Sequence, residues 1–176
     1  MNPRLRTGIV IAAVLLAQAV SRFASAPVCD FTLDDWALLS RTTVDLSWAD
    51  VARVPLHDPD RPLGLGALFA EFKAFGDRPA CYNLFGLAAS SLFLLGWLLL
   101  VQELGRDLRL TALTGLLFAA LPNLTETFNW HTMSAYTPGL SAYLFSAWLL
   151  ARRRTDEQHI PWLAALLYGI GLGTYE

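Results

Sequence analysis

An all-α, polytopic transmembrane helical bundle is the fold class this sequence predicts, on three observations. Of its 176 residues, 55% are hydrophobic and only 16% charged, and its mean hydropathy is +0.42. The charges gather into Asp30 to Arg78, Glu103 to Arg109 and Arg152 to His159, whereas a soluble domain would spread them through every amphipathic element. The stretches between those clusters are long enough to cross a hydrocarbon core of about 30 Å at about 1.5 Å per helical residue. Four to five crossings are expected, with short interfacial helices in the first exported loop.

Taken in order, Arg4 and Arg6 precede the apolar run Thr7 to Val20, and Ser21, Arg22 and the small-residue stretch Ala24-Ser25-Ala26 follow it. A basic start, an apolar core and an A-x-A site also describe a signal peptide. The later apolar blocks favour a retained first helix, and under either reading the next segment is exported. Residues 27–79 are polar and form the first extracytoplasmic loop. Within it Thr32-Leu33-Asp34-Asp35 and Ser47-Trp48-Ala49-Asp50 read as capping boxes, in which a hydroxyl and a carboxylate three residues on satisfy free amide donors at a helix start. Pro62 opens a stretch to Phe75 in which Leu65, Leu68, Phe69, Phe72 and Phe75 recur at helical spacing, with Glu71 and Lys73 elsewhere on the wheel. It is too short and too charged to span, so an interfacial helix is expected.

Ala80 to Val101 is the clearest crossing, and its Gly86, Ser90, Ser91 and Gly96 permit close helix approach. A shorter apolar run from Leu110 reaches Pro122. Thr132 to Ala151 is the next crossing, which Pro138 is expected to kink. Arg152-Arg153-Arg154 stops it. Ile160 to Tyr175 is apolar again but ends at Glu176 short of a full crossing, so residues 1–176 are expected to be the N-terminal part of a longer transmembrane domain. No repeat, low-complexity segment or internal domain boundary stands out.

Alternate crossings put Arg4, Arg6, Arg106, Arg109 and Arg152 to Arg154 on one side, while Asn123 to Trp130 carries no Lys or Arg on the other. That pattern predicts a cytoplasmic N-terminus. The first loop counts against it, because Arg41, Arg53, Arg61, Lys73 and Arg78 would lie outside and its nine acidic residues do not offset them under a rule that counts positive charge. A bacterial inner (plasma) membrane, crossed several times, is the expected location.

Chemistry-bearing groups are few. Net charge is −2 and no basic aromatic stripe appears, so nucleic acid is not an expected partner. Cys29 and Cys81 lack CxxC spacing, which argues against a thiolate metal site; in an oxidising compartment they could pair, a point their spacing leaves open. Gly-rich phosphate loops, nucleophile elbows and zinc motifs are absent from the sequence, and no metal ligands are assigned. Asp34-Asp35-Trp36 follows the first crossing. Adjacent carboxylates there raise one another's pKa and could accept a proton or bind a divalent cation. The plainer alternative is that Asp35 caps a helix and Asp34 favours its positive end. Glu126 lies in the next exported loop, on the same membrane face, and is otherwise a solvated loop acid or a residue at the N-terminal end of the fourth helix. Arg61 offers a planar fork of donors to phosphate, or a tie to a loop carboxylate. His57 and His131 are exported imidazoles that could act as base or ligand, or simply be solvated. Asn123-Leu124-Thr125 fits the glycosylation acceptor pattern, which is frequent by chance.

The order Asp34-Asp35-Trp36, Arg61-Pro62-Leu63, Phe75-Gly76, Tyr82-Asn83-Leu84 entering a long helix, then Leu121-Pro122 with Glu126 and Trp130, resembles the N-terminal half of GT-C membrane glycosyltransferases. It is similar to mannosyltransferase-like bacterial transferases and to transmembrane O-mannosyltransferases with tetratricopeptide repeats. The resemblance covers most of Asp30 to Glu176, and Tyr175-Glu176 resembles an acidic position at the outer end of a later helix. It implies an enzyme that takes a sugar from a polyprenyl phosphate carrier on the outer face and gives it to a hydroxyl acceptor. Asp34 would then be the general base with Asp35 beside it, and Glu126 would position substrate or a divalent cation. Arg61, Trp36 and His131 would contact substrate. A competing expectation is a non-catalytic membrane subunit or transporter piece, in which the acidic pairs are caps and the loop is a docking surface. A secreted product of signal cleavage is the third, and the later apolar blocks disfavour it.

Overall fold

The computed structural model describes residues 2–25, 47–57, 62–120, 135–152 and 161–175, and within them every regular element is an α-helix. In chain order these are α1 (Pro3–Ser25), α2 (Trp48–His57), α3 (Pro62–Phe75), α4 (Pro79–Gly105), α5 (Leu108–Ala120), α6 (Thr137–Arg152) and α7 (Pro161–Tyr175). The all-α class is therefore as expected. Among the described residues two helices are long and apolar enough to cross a membrane, Pro3–Arg22 within α1 and Pro79–Gly105. The 27 residues of α4 extend about 40 Å, beyond a core of about 30 Å, whereas α5 and α7 are apolar but reach only roughly 20 to 23 Å.

Helix ends follow local chemistry. The capping box at α2 forms as its sequence suggests: the Asp50 amide donates to Ser47 Oγ at 3.2 Å, while Asp50 Oδ2 accepts from the Ser47 amide at 3.0 Å and its hydroxyl at 2.6 Å. At the end of α3, Gly76 takes φ +59° and its amide donates to Phe72 O at 2.9 Å, a left-handed cap that glycine adopts without steric cost. Pro79 then starts α4, where its missing amide donor costs nothing. The α3–α4 turn is fastened by Tyr82, fully buried, whose hydroxyl donates to Gly76 O at 2.8 Å and whose ring meets Phe75 edge-on at 5.2 Å. At its other end α4 stops on Arg106 in the left-handed region, φ 49°, with its amide on Gln102 O.

Two packing units share α4. On one side Ile11 and Val14 of α1 form a core with Leu94 and Leu98, and Gly115 of α5 lets Val14 and Leu98 close over it. Thr111 Oγ1 bonds Gln102 Oε1 at 3.0 Å across the α4–α5 hairpin. On the other side Gly96 sits under Leu144 and Phe145 of α6, and Ser146 Oγ donates to Ala164 O of α7 at 2.8 Å. Gly139 against Thr174 and Gly171 against Tyr143 complete the α6–α7 seam. These pairings make α1 antiparallel to α4, α4 to α5, and α6 to α7. Hence the C-termini of α1, α5 and α7 and the N-termini of α4 and α6 share one pole.

Across that pole lies α3. Its Gly64 is pressed against Thr174 O and the Tyr136 ring, and Leu68 and Phe72 join Tyr82 and Ala135 in a second core. One sequence expectation changes here. Pro138 does not kink a crossing helix; α6 begins at Thr137, so the proline occupies its first turn, where no intrahelical amide donor is needed. Glu71, off the apolar stripe of the wheel, is nonetheless buried, 5% exposed. The reason is that α3 packs on more than one side, and Lys73 alone of its two charges reaches solvent.

Candidate functional site

The residues expected to carry the chemistry, Asp34, Asp35, Trp36, Arg61, Glu126 and His131, all lie outside the described residues, as do the expected capping box Thr32 to Asp35 and the acceptor pattern Asn123 to Thr125. What is described is their framing. The helix ends that bracket those segments, Ser25 and Ser47, His57 and Pro62, Ala120 and Ala135, belong to the pole that α3 covers. Cys81 is a free, half-buried thiol, and Cys29 lies outside the described residues.

That pole is polar for a bundle so apolar elsewhere. Glu71, Tyr82, Tyr136, Thr137 and Thr174 are all buried there. Tyr82 is committed to Gly76 O and Thr174 Oγ1 donates to Ile170 O at 2.7 Å. Between α1 and α4 a second polar group follows: Gln18, 1% exposed, Ser90, 0%, and Arg22, 8%. Gln18 Nε2 donates to Ser90 Oγ at 3.1 Å, and the Ser90 hydroxyl donates to Leu87 O at 3.0 Å.

A buried carboxylate and a buried guanidinium are costly in an apolar surround unless compensated, and in membrane-spanning helices such groups mark functional sites more often than structural ones. Neither group is singled out by the motif pattern of the sequence. A one-sided reading of α3 hides Glu71. For α1 the available signal is Gln18 and Arg22, four residues apart in an otherwise apolar stretch, which places them on one helix face. Ser90 is recognisable in the sequence as a small residue, whereas its hydroxyl also acts as an interhelical acceptor.

Among the described residues no group of three His, Cys, Asp or Glu side chains is placed to hold a metal ion. The carboxylates that could hold a divalent cation, Asp34, Asp35 and Glu126, lie outside them. The described residues define an all-α fold with two helices of membrane-crossing length and a polar, helix-covered pole. Compared with known proteins, no family model, curated protein or solved structure matches the chain.

Proposed function

We propose that this chain is a membrane glycosyltransferase of GT-C type, or the N-terminal part of one, transferring a sugar from a polyprenyl-phosphate carrier to a hydroxyl acceptor on the extracytoplasmic face. One observation supports the reading: the described helix ends that bracket 26–46, 58–61 and 121–134 share a pole. In this reading α5, α6 and α7 join α1 and α4 as crossings of a bacterial inner membrane, with local thinning or tilt accommodating their short lengths.

The chemistry asks for three things. Asp34, beside Asp35, takes the proton from the acceptor hydroxyl as the new glycosidic bond forms, and the carrier phosphate leaves with the electron pair of the broken bond. Arg61 offsets the charge that develops on that phosphate. Glu126, with Trp36 and His131, orients the sugar or a divalent cation. Membranes containing the protein are expected to transfer sugar from a polyprenyl-phosphate donor pool. At equal expression Asp34→Asn should lower that transfer by roughly 100-fold or more, the scale of a lost general base. Equal transfer by both proteins removes Asp34 as the base. No transfer by either, from a protein folded in the membrane, leaves a non-catalytic subunit or transporter piece in its place.

A further inference from the structure

At the pole opposite α3, the antiparallel packing of α4 with α1 and with α5 brings two arginine pairs to one end of the bundle. Arg4 and Arg6 lie in the first turn of α1, and Arg106 and Arg109 at the α4–α5 turn. All four are exposed, and none makes an ion pair with a described residue. The acids beside them are Glu103, half-buried, and Asp107, whose Oδ1 accepts from the Arg109 amide at 2.8 Å. Four guanidinium groups against two carboxylates leave the rim positive. Helix chemistry opposes these cations where they stand. Arg4, Arg6 and Arg109 occupy first turns, the end at which the helix dipole disfavours positive charge. Arg106 sits at the favourable end of α4, but at φ 49°, in a conformation that glycine adopts without cost. Exposed Leu5, Leu104 and Leu110 are interleaved with the arginines.

We propose that this rim binds the head group of an anionic phospholipid, with Arg4, Arg6, Arg106 and Arg109 taking its phosphodiester and the neighbouring leucines lying along its acyl chains. Planar forks of donors match phosphate oxygens, and basic groups at the end of a membrane-crossing bundle meet head groups directly. The exposed leucines commit the occupant to a lipid of the bilayer instead of a soluble phosphate. Orientation in the membrane asks only for positive charge somewhere near this end. A shared head group asks more, that the pair on α1 and the pair at the α4–α5 turn act together. The proposal requires α1 and α4 to cross a membrane and is independent of sugar transfer.

The test is binding of labelled phosphatidylglycerol and phosphatidylcholine to the purified protein in neutral detergent micelles, alongside thermal unfolding. The wild type should prefer phosphatidylglycerol. Arg106→Gln with Arg109→Gln should weaken that lipid by roughly 10- to 30-fold and leave phosphatidylcholine unchanged. Arg4→Gln with Arg6→Gln should do the same, and all four together should cost less than the product of the two pairs, because one head group is shared. Lys73→Gln with Arg78→Gln removes the same charge from the α3 pole, far beyond the screening length, and should alter phosphatidylglycerol binding by no more than about twofold. Where a glutamine pair lowers the unfolding midpoint, Arg106→Lys with Arg109→Lys keeps the charge, loses the fork and should still weaken binding. Equal affinity of the wild type for both lipids overturns the proposal. So does equal weakening by the α3-pole pair, which would make the attraction one of net charge, or full multiplicativity of the two arginine pairs, which would make them separate charges. Displacement by glycerol phosphate as effective as by phosphatidylglycerol reassigns the site to a soluble phosphate, and tighter binding of a prenyl phosphate reassigns it to a carrier lipid.

Discussion

Single residues set how closely the helices of this protein can approach. A methyl group on Gly64 would meet Thr174 O and the Tyr136 ring, and a backbone carbonyl in a packed helix cannot move aside cheaply. Gly64→Ala is therefore expected to destabilise by about 1–3 kcal/mol, the usual cost of overpacking. Gly169, on α7, has nothing within 4 Å of such a methyl group, and Gly169→Ala should stabilise by about 0.5–1 kcal/mol through lower backbone entropy. Thermal unfolding of both variants in one detergent checks the pair, and equal midpoints would mean that α3 is not seated as described. At α2 the hydrogen bonds from the Ser47 hydroxyl and amide, with a smaller contribution from Arg53, hold the Asp50 carboxyl below its ordinary value of 3.8. A lowered folded-state pKa means that the carboxylate supports the start of α2 fully above the ordinary aspartate range, and that this support is lost as pH falls through the lowered value. Titrating the Asp50 carboxyl by its carbon chemical shift should show the midpoint rising toward the ordinary value in Ser47→Ala. An unmoved midpoint would show that the capping box does not form in solution.

At the scale of elements, α4 is bounded by two left-handed residues of opposite suitability. Gly76 at φ +59° meets no steric penalty, whereas Arg106 at φ 49° carries a Cβ into a conformation that L-residues avoid. Gly76→Ala should thus destabilise and Arg106→Gly stabilise, each by about 1 kcal/mol, as read from denaturant or thermal midpoints; a stabilising Gly76→Ala would contradict the α3–α4 turn. These same ends show how much of the fold is legible in the sequence. Ser47 with Asp50, and Pro62 to Phe75, are short-range signals, and both elements appear at the positions those signals mark. The burial of Glu71 is not legible, because α3 packs against Ala135, Tyr136 and α7, partners far downstream that a periodicity confined to α3 does not reveal. Pro138 misleads for a related reason: an apolar run extends through Ala135 and Tyr136, but these pack under α3 instead of continuing α6. The candidate site reads in the sequence only as an order of short motifs, because hydropathy carries no positional information for polar stretches, and its residues lie outside the described ones.

For the molecule as a whole, orientation in a membrane decides which pole meets which compartment. Arg4, Arg6, Arg106, Arg109 and Arg152 lie at the pole opposite α3, where α4 hands over to α5 and α6 ends, with Arg152 over the Trp148 ring at 5.4 Å. The α3 pole also carries Arg22, Lys73 and Arg78, beside Asp77 and the buried Glu71, so the contrast rests on the short α4–α5 connection and the two helix ends near it. Positive charge near short loops sets orientation, so the arginine pole is expected to be cytoplasmic and the α3 pole extracytoplasmic. Asp77 and Asp107 are both exposed and are separated by the full length of α4, which makes them a direct test. In a background with Cys29 and Cys81 replaced by serine, Asp77→Cys should react with a membrane-impermeant maleimide on intact cells, and Asp107→Cys only after permeabilisation. Labelling of both from outside would mean that α4 does not cross. The reverse pattern would keep α4 as a crossing but turn to the cytoplasm the α3 pole and the helix ends that bracket the segments of Asp34, Arg61 and Glu126. A transferase using carrier lipid on the outer face requires those segments outside, so that single result would also reject the proposed reaction.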